Sequence, residues 1–253
     1  MPDAWVETAS EHVVARHDDR DTRDAERLVG ELEALCAHTA ELLGVDPPGE
    51  IALVLHGTPL QLDLAQPMLP LVRAATHPAA RRIVAGWPQP GAIHVLAPRV
   101  LRDRASHDGP DEREFLRLVP GALLVQSMVG AVNPKLRPRR ALLRSRWAWL
   151  SWGAGQLIAG QTAYARGLIR RRLQGGDQAP FPPGLGDAPL LGGSVLDLLR
   201  REEGMAAVGR LLREPLPRTA DEALRGAFGG RATVHSAGTW RAHLARLAEG
   251  AER

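Results

Sequence analysis

Two short runs, "EIALVLHG" at 50–57 and "GAIHVLAP" at 91–98, limit the folds open to this chain more than any other feature. Each is a nearly continuous apolar, β-prone stretch bounded by turn residues, without polar and apolar residues in alternation. Strands that read this way are buried on both faces, so their sheet needs helices packed over it. The segment upstream supplies one. In "DTRDAERLVGELEALCAHTAELLG" the residues Ala25, Leu28, Val29, Leu32, Leu35, Cys36, Thr39, Leu42 and Leu43 recur every three or four positions, which predicts a long amphipathic helix. Asp21 is placed to cap its start, and Gly44 followed by Pro47 and Pro48 to end it. Before it, "WVETASEHVVARHD" (5–18) reads as one or two strands.

Beyond Pro98 the strand signals stop. "DEREFLRL", "PGALLVQSMVGAV", "RRALLRSRWAWLSWGAGQLIAG", "TAYARGLIRRRL", "GSVLDLLRREEG", "MAAVGRLLRE", "TADEALRGAF" and "TWRAHLARLAE" read as helices broken by Gly and Pro. Thr219 and Glu222 have the spacing of a capping box. From Gln174 to Gly193 the chain is too rich in Gly and Pro for regular structure. The expected architecture is α+β: one domain spanning 1–253, with an N-terminal mixed β-sheet and long helix (1–110) followed by a mainly helical C-terminal half (111–253).

Composition narrows the function classes. With 44% hydrophobic and 24% charged residues the chain is globular, not disordered. Its start lacks a basic region followed by an apolar run, and its longest apolar stretch, Val119 to Val132, falls short of the roughly 20 residues that span a bilayer. A cytoplasmic protein without a membrane contact is expected. Cys36 is the only cysteine, so no internal disulfide forms, and its place in the helical stripe reads as a small buried apolar residue. Lys135 is the sole lysine beside 31 arginines; with abundant Ala, Gly and Pro this reflects GC-rich coding more than nucleic-acid binding. Aromatic residues, at 4%, are too few for base-stacking platforms.

The stretch "RWAWLSWGAGQLIAGQ" (146–161) is similar to a helix segment "WLsEGlAey" in which a glutamate holds zinc. Together with the order strand, long helix, strands, helices, it resembles the gluzincin-like metallopeptidases, in particular the bacterial peptidase MA-like domains related to thermolysin and aminopeptidase catalytic domains. "DAPLLGGSVLDLLRREEGMAAVGRLL", "ADEALRGAFG" and "TWRAHLARL" are similar to that family's later helices. The resemblance implies a zincin-like fold with "VPGALLVQSMVGAV" as the first metal-binding helix and 146–161 as the second. The family's chemistry needs two histidines one turn apart, a glutamate beside the first, and another glutamate one helix later. Here the matching positions are Val125, Gln126 and Val129, or in a second register Pro120, Gly121 and Leu124, with Trp152 in place of the later glutamate.

A register-free observation is stronger. The 62 residues from Phe115 to Gly176 contain no Asp, Glu, His or Cys, the side chains that hold zinc. The implied protein is therefore a catalytically inactive metallopeptidase-like domain with no catalytic residue, no metal and no cofactor, serving a binding or structural role with a protein or peptide partner. Its oligomeric state is not written in the sequence.

Two other classes compete. A hydrolase with a non-standard site would draw on His56, His94 or Tyr164. The nine histidines (12, 17, 38, 56, 77, 94, 107, 235 and 243) are scattered, no two at i,i+4, and each is expected to be a structural or surface residue; His12 and His94, both in expected strands, could meet across a sheet. Ser194 lacks a nucleophile elbow and reads as a helix cap, and no P-loop or dinucleotide glycine pattern occurs. An anion-binding module would use Arg137, Arg139, Arg140, Arg170, Arg171 and Arg172. The same acid-free window holds eleven basic residues, including Arg144, while net charge is only +3, so the rest of the chain is strongly acidic. Pairing with acidic helices, at Glu31, Glu202 or Glu203, is the plainer role for these arginines. Trp147, Trp149 and Trp152 are either core residues or line a peptide cleft, whose candidate residues are Trp149, Gln156 and Tyr164.

Overall fold

The computed structural model describes residues 5–105, 109–143 and 145–249. The first third is a mixed five-stranded sheet. β1 (Trp5–Ala9) and β2 (Val13–Asp18) form an antiparallel hairpin, and α1 (Thr22–Leu43) crosses to β3 (Ile51–His56), which runs parallel to β2. Two short helices, α2 (Pro59–Ala65) and α3 (Leu69–Ala75), lead to the hairpin of β4 (Gly86–Gln89) and β5 (Ala92–Leu96), with β5 parallel to β3. The order is β1-β2-β3-β5-β4. Everything after β5 is helical: α4 (Pro98–Arg104), α5 (Pro110–Arg117), α6 (Val119–Val132), α7 (Pro138–Leu143), α8 (Ala148–Ile158), α9 (Arg166–Gln174), α10 (Ala188–Glu203), α11 (Met205–Arg213), α12 (Ala220–Ala227) and α13 (Thr233–Glu249). No single helix among the described residues is long and apolar enough to cross a membrane.

Side-chain alternation gives the sheet two unequal faces. Leu53 pairs with Ile93 and Leu55 with Val95, and these four are fully buried on the face where α1 packs on β1 and β2 and α6 on β4 and β5. Their neighbours Ala52, Val54, Ala92 and His94 point the other way and are only half buried. The expectation of strands covered on both faces is thus corrected: the short α2 covers only part of the outer face. β4 was not expected from sequence because Pro88 removes a ladder donor, which an edge strand tolerates.

α1 buries Ala25, Leu28, Val29, Leu32, Cys36, Thr39 and Leu43 of the expected stripe, while Leu35 and Leu42 are half buried. Gly44, at φ 64°, takes the left-handed turn that closes the helix, and the amides of Gly44 and Val45 bond to Glu41 O and Ala40 O. At the other end Asp21 makes no capping bond; its buried carboxylate instead accepts Arg99 Nε at 3.0 Å, tying α1 to α4. Gly30 is exposed in mid-helix with nothing within 4 Å of a Cβ placed there. Gly30→Ala is therefore expected to stabilise the protein by about 0.5–1 kcal/mol, read as a raised urea midpoint at unchanged slope.

α6 packs against α1, β4, β5 and α8, and α8 is held between α6 and α10. Being covered nearly all round explains why both helices are uniformly apolar rather than amphipathic. The capping box at α12 is present: Glu222 N donates to Thr219 Oγ1 at 3.2 Å and Thr219 N donates to Glu222 Oε2 at 3.4 Å. The Gly- and Pro-rich stretch is irregular only to Asp187. Ala188 to Gly193 already belong to α10, and Ser194 is buried inside that helix, not at its cap.

Candidate functional site

At the positions where the resemblance puts a metal, the interior is packed. Val125 and Val129 are fully buried in the main core, and Gln126, 2% exposed, lies against α8. A Cβ on Gly155 would stand 2.5 Å from Ala122 O and 3.0 Å from Gln126 Nε2, so the two helices nearly touch there. Trp152, one turn earlier on α8, is half buried against the core. In the second register Gly121 faces Leu35 of α1, Leu124 is fully buried, and Pro120 edges a cleft between α1, α4 and α5. Among the described residues one group of three potential metal ligands occurs elsewhere, Glu11, His12 and Glu33 at the β1–β2 turn. There Glu33 already accepts Ser10 Oγ at 2.5 Å, His12 N at 3.1 Å and His12 Nδ1 at 2.5 Å. Burial pushes its carboxyl up, but these hydrogen bonds outweigh burial and hold it below the usual range, so Glu33 acts as a clamp on the turn.

Of the residues expected along a peptide cleft, Trp147, Trp149 and Gln156 are interior, while Trp152 and Tyr164 are half buried. Trp147 and Trp149 are 2% and 0% exposed, and Trp149 Nε1 has no partner among the described residues. Gln156 staples α8 to α10: its Nε2 donates to Pro189 O and its Oε1 accepts Gly193 N at 2.6 Å. Tyr164 is half buried on the turn after α8, near Arg117. Trp149 and Gln156 thus belong to a helix contact, not to an accessible groove.

Among the described residues of the arginine window, three pair with carboxylates: Arg117, Arg171 and Arg172. Arg172, 4% exposed, forks onto Asp187 at 2.6 and 3.0 Å and also donates to Asp177 O. Arg171 pairs with Glu112 at 2.5 Å, and Arg117 with Glu31 at 2.9 Å and Glu114 at 2.8 Å. Arg137 Nε donates to Gly130 O at 3.3 Å. Of the six candidate anion-binding arginines only Arg139, Arg140 and Arg170 stay exposed with no partner among the described residues. Arg144 and His107 lie outside those residues. Glu31 is a partner as expected, whereas Glu202 pairs with Arg231 at 2.7 Å.

His12 and His94 do not meet; His94 meets His56. His56 Nε2 is 3.1 Å from His94 Nδ1, the rings stack at 5.4 Å, and the Trp5 ring stands edge-on to His56 at 6.5 Å. Burial, then the neighbouring His94, push His56 down to about 4, and burial lowers His94 as well. Both rings are on the sheet face turned away from α6, and Tyr164 is not part of this group.

A different polar cluster went unnoticed in the sequence. On α10, Ser194 and Asp197 are buried one turn apart, opposite Trp240 and His243 of α13. Trp240 Nε1 donates to Ser194 Oγ at 2.8 Å, and Ser194 Oγ donates to Leu191 O at 2.6 Å. His243 Nε2 lies 3.0 Å from Asp197 Oδ2. The same carboxylate accepts Arg200 Nη2 at 2.7 Å, Arg200 Nε at 3.2 Å and Arg201 Nε at 3.0 Å. Ser194 is bonded to Trp240 and not to the imidazole, so the cluster is no serine–histidine–aspartate triad. Its Asp197, with Arg200 and Arg201, forms one wall of a cleft of about 360 Å³ between α1, α8, the turn after α8, α10, α11 and α13. The sequence signal was there: polar residues at i,i+3 within otherwise apolar helical faces on both helices.

Comparison with known protein families, with curated proteins and with solved structures finds no match for the chain.

Proposed function

We propose that this protein is a metal-free, metallopeptidase-like scaffold of the zincin type that acts by binding rather than by hydrolysis. One observation carries the reading: Val125, Gln126 and Val129, where the resemblance would put two histidines and a glutamate, are buried apolar or amide side chains packed between helices, and the surrounding 62 residues hold no zinc-binding side chain. The mixed sheet followed by helices supports the scaffold part of the proposal, with α6 beneath β4 and β5 and α8 against α6. A glutamine at 126 keeps the volume of a catalytic glutamate while lacking a basic carboxylate, and a side chain without a titratable group cannot take a proton from water at neutral pH.

Elemental analysis of the purified full chain, after dialysis against zinc-containing buffer, is expected to find zinc well below one atom per chain, with no cleavage of unstructured peptides. One zinc per chain, removed by chelator together with any peptide cleavage, would overturn the proposal.

A further inference from the structure

We infer that the cleft beside Asp197 binds a small monoanion with an apolar body, a carboxylate carried on a short hydrocarbon group. Its volume of about 360 Å³ is in the range of small-molecule sites. Leu157, Ile158, Met205 and Leu247 supply apolar wall, enough to cover a hydrocarbon chain but offering it no hydrogen bond. The polar lining is Arg200 and Arg201 around Asp197, with Thr162 after α8 and His38 on α1.

The charge balance at this wall selects the ligand. Asp197 is buried, and although burial pushes its carboxyl up, the hydrogen bonds from His243 and Arg200 and the charge of Arg201 hold it well below the usual carboxylate range. Among the residues that line the cleft Asp197 is the one carboxylate and Arg200 and Arg201 are the two guanidiniums, which leaves one positive charge of the lining uncompensated. Arg200 spends Nε and Nη2 on Asp197 and Arg201 spends Nε, so Arg200 Nη1 and both terminal nitrogens of Arg201 have no protein partner among the described residues. These donors are attached to side chains 45% and 54% exposed, so they reach solvent and a ligand. An ordinary surface ion pair would hold its arginines loosely and contribute little. Here the acid is buried and anchored from behind by His243, itself 1% exposed, so the forks are held in place before a ligand arrives. One surplus charge matches a monoanion, and the planar fork suits a carboxylate.

This inference goes beyond the scaffold reading and does not depend on it, because none of Val125, Gln126, Val129 or Trp152 lines the cleft. Titration calorimetry of the full chain with hexanoate is expected to show saturable 1:1 binding with Kd below about 1 mM. Hexanol, of equal length but uncharged, is expected to bind at least 10-fold more weakly. Arg201→Gln, on an exposed side chain whose loss leaves Arg200 and His243 on Asp197, is expected to lower hexanoate affinity at least 10-fold. Arg170→Gln, an exposed arginine outside the cleft, is expected to leave affinity unchanged, and matching thermal melts of both variants establish that each is folded. Non-saturable hexanoate binding, equal affinity in wild type and Arg201→Gln, or tighter binding of inorganic phosphate than of hexanoate would each overturn the assignment. None of these outcomes bears on zinc content.

Discussion

Lowering the pH from 6.5 to 4 is expected to take about 3 kcal/mol from the stability of the folded protein through His56, and a His56→Gln variant is expected to lose that dependence. The imidazole is only 5% exposed, and burial, followed by repulsion from His94 at 3.1 Å, brings it down from an ordinary 6.5 to about 4. The folded chain thus holds His56 neutral where the unfolded chain has already bound a proton. Its contribution is complete above the unfolded value of 6.5, falls as pH drops through the window from 6.5 to about 4, and is fully lost below it. At about 1.4 kcal/mol per pH unit across that window the loss is about 3 kcal/mol. His94, also lowered by burial, acts in the same direction, and the stacked pair accepts its first proton as a unit. Asp197 is lowered too, but its contribution is lost only as pH falls below the ordinary carboxylate value of 3.8, outside the histidine window. Urea midpoints measured against pH separate these effects. Parallel curves for wild type and His56→Gln between pH 6.5 and 4 would sink the assignment. Glutamine can hydrogen-bond to His94 but does not titrate in this range, so a flatter curve cannot be blamed on the lost contact.

The sheet and the long helix were readable because each is decided by local pattern. The apolar runs of β3 and β5 lie near their observed bounds, and α1 ends where Gly44 supplies the left-handed turn. β4 was not readable: four residues with Gly86 and Pro88 form a strand because they pair with β5, and because Gly86 leaves space for Leu123 of α6, whose Cδ1 would be 2.5 Å from a Cβ there. The outer sheet face misled for the same reason, since a run such as "IALVLH" does not reveal how far a short α2 extends over it. Arg172 looked like a ligand for anions, yet Asp187, fifteen residues on, makes it a buried structural pair. That residues 115–176 carry no zinc-binding side chain is legible because it is a property of composition over a window. The Asp197–His243 pair was not, because 46 residues separate the partners and only the packing of α10 on α13 brings them together.

Gly192→Ala is expected to be among the most damaging small substitutions in the protein, costing at least about 3 kcal/mol. Gly192 reads as a loop residue beside Gly193, but it sits within α10 where that helix crosses α8. A Cβ there would lie 2.5 Å from Trp149 O, 2.9 Å from Gly153 N and 3.1 Å from Gly153 Cα. All three are backbone atoms of a buried helix, so no side chain can swing aside; α8 must move away from α10 or bend. Moving it would strain the Gln156 staple to Pro189 and Gly193 and disturb the seat of Trp149. Overpacking in a core that can adjust costs about 1–3 kcal/mol, and a rigid backbone contact belongs at or above the top of that range. The intrinsic helix gain of alanine over glycine, up to about 1 kcal/mol, offsets only part of this. Gly153→Ala makes the reciprocal intrusion, 2.6 Å from Gly192 O, so the double variant is expected to cost less than the two single losses added together. Urea unfolding of the four chains measures this coupling, with Gly30→Ala as the control in which the same change meets open space. A wild-type midpoint for Gly192→Ala would mean that α8 and α10 are not in backbone contact. Strict additivity would mean that the two glycines do not share one crossing, and the packed interior between α6 and α10 would need a different explanation.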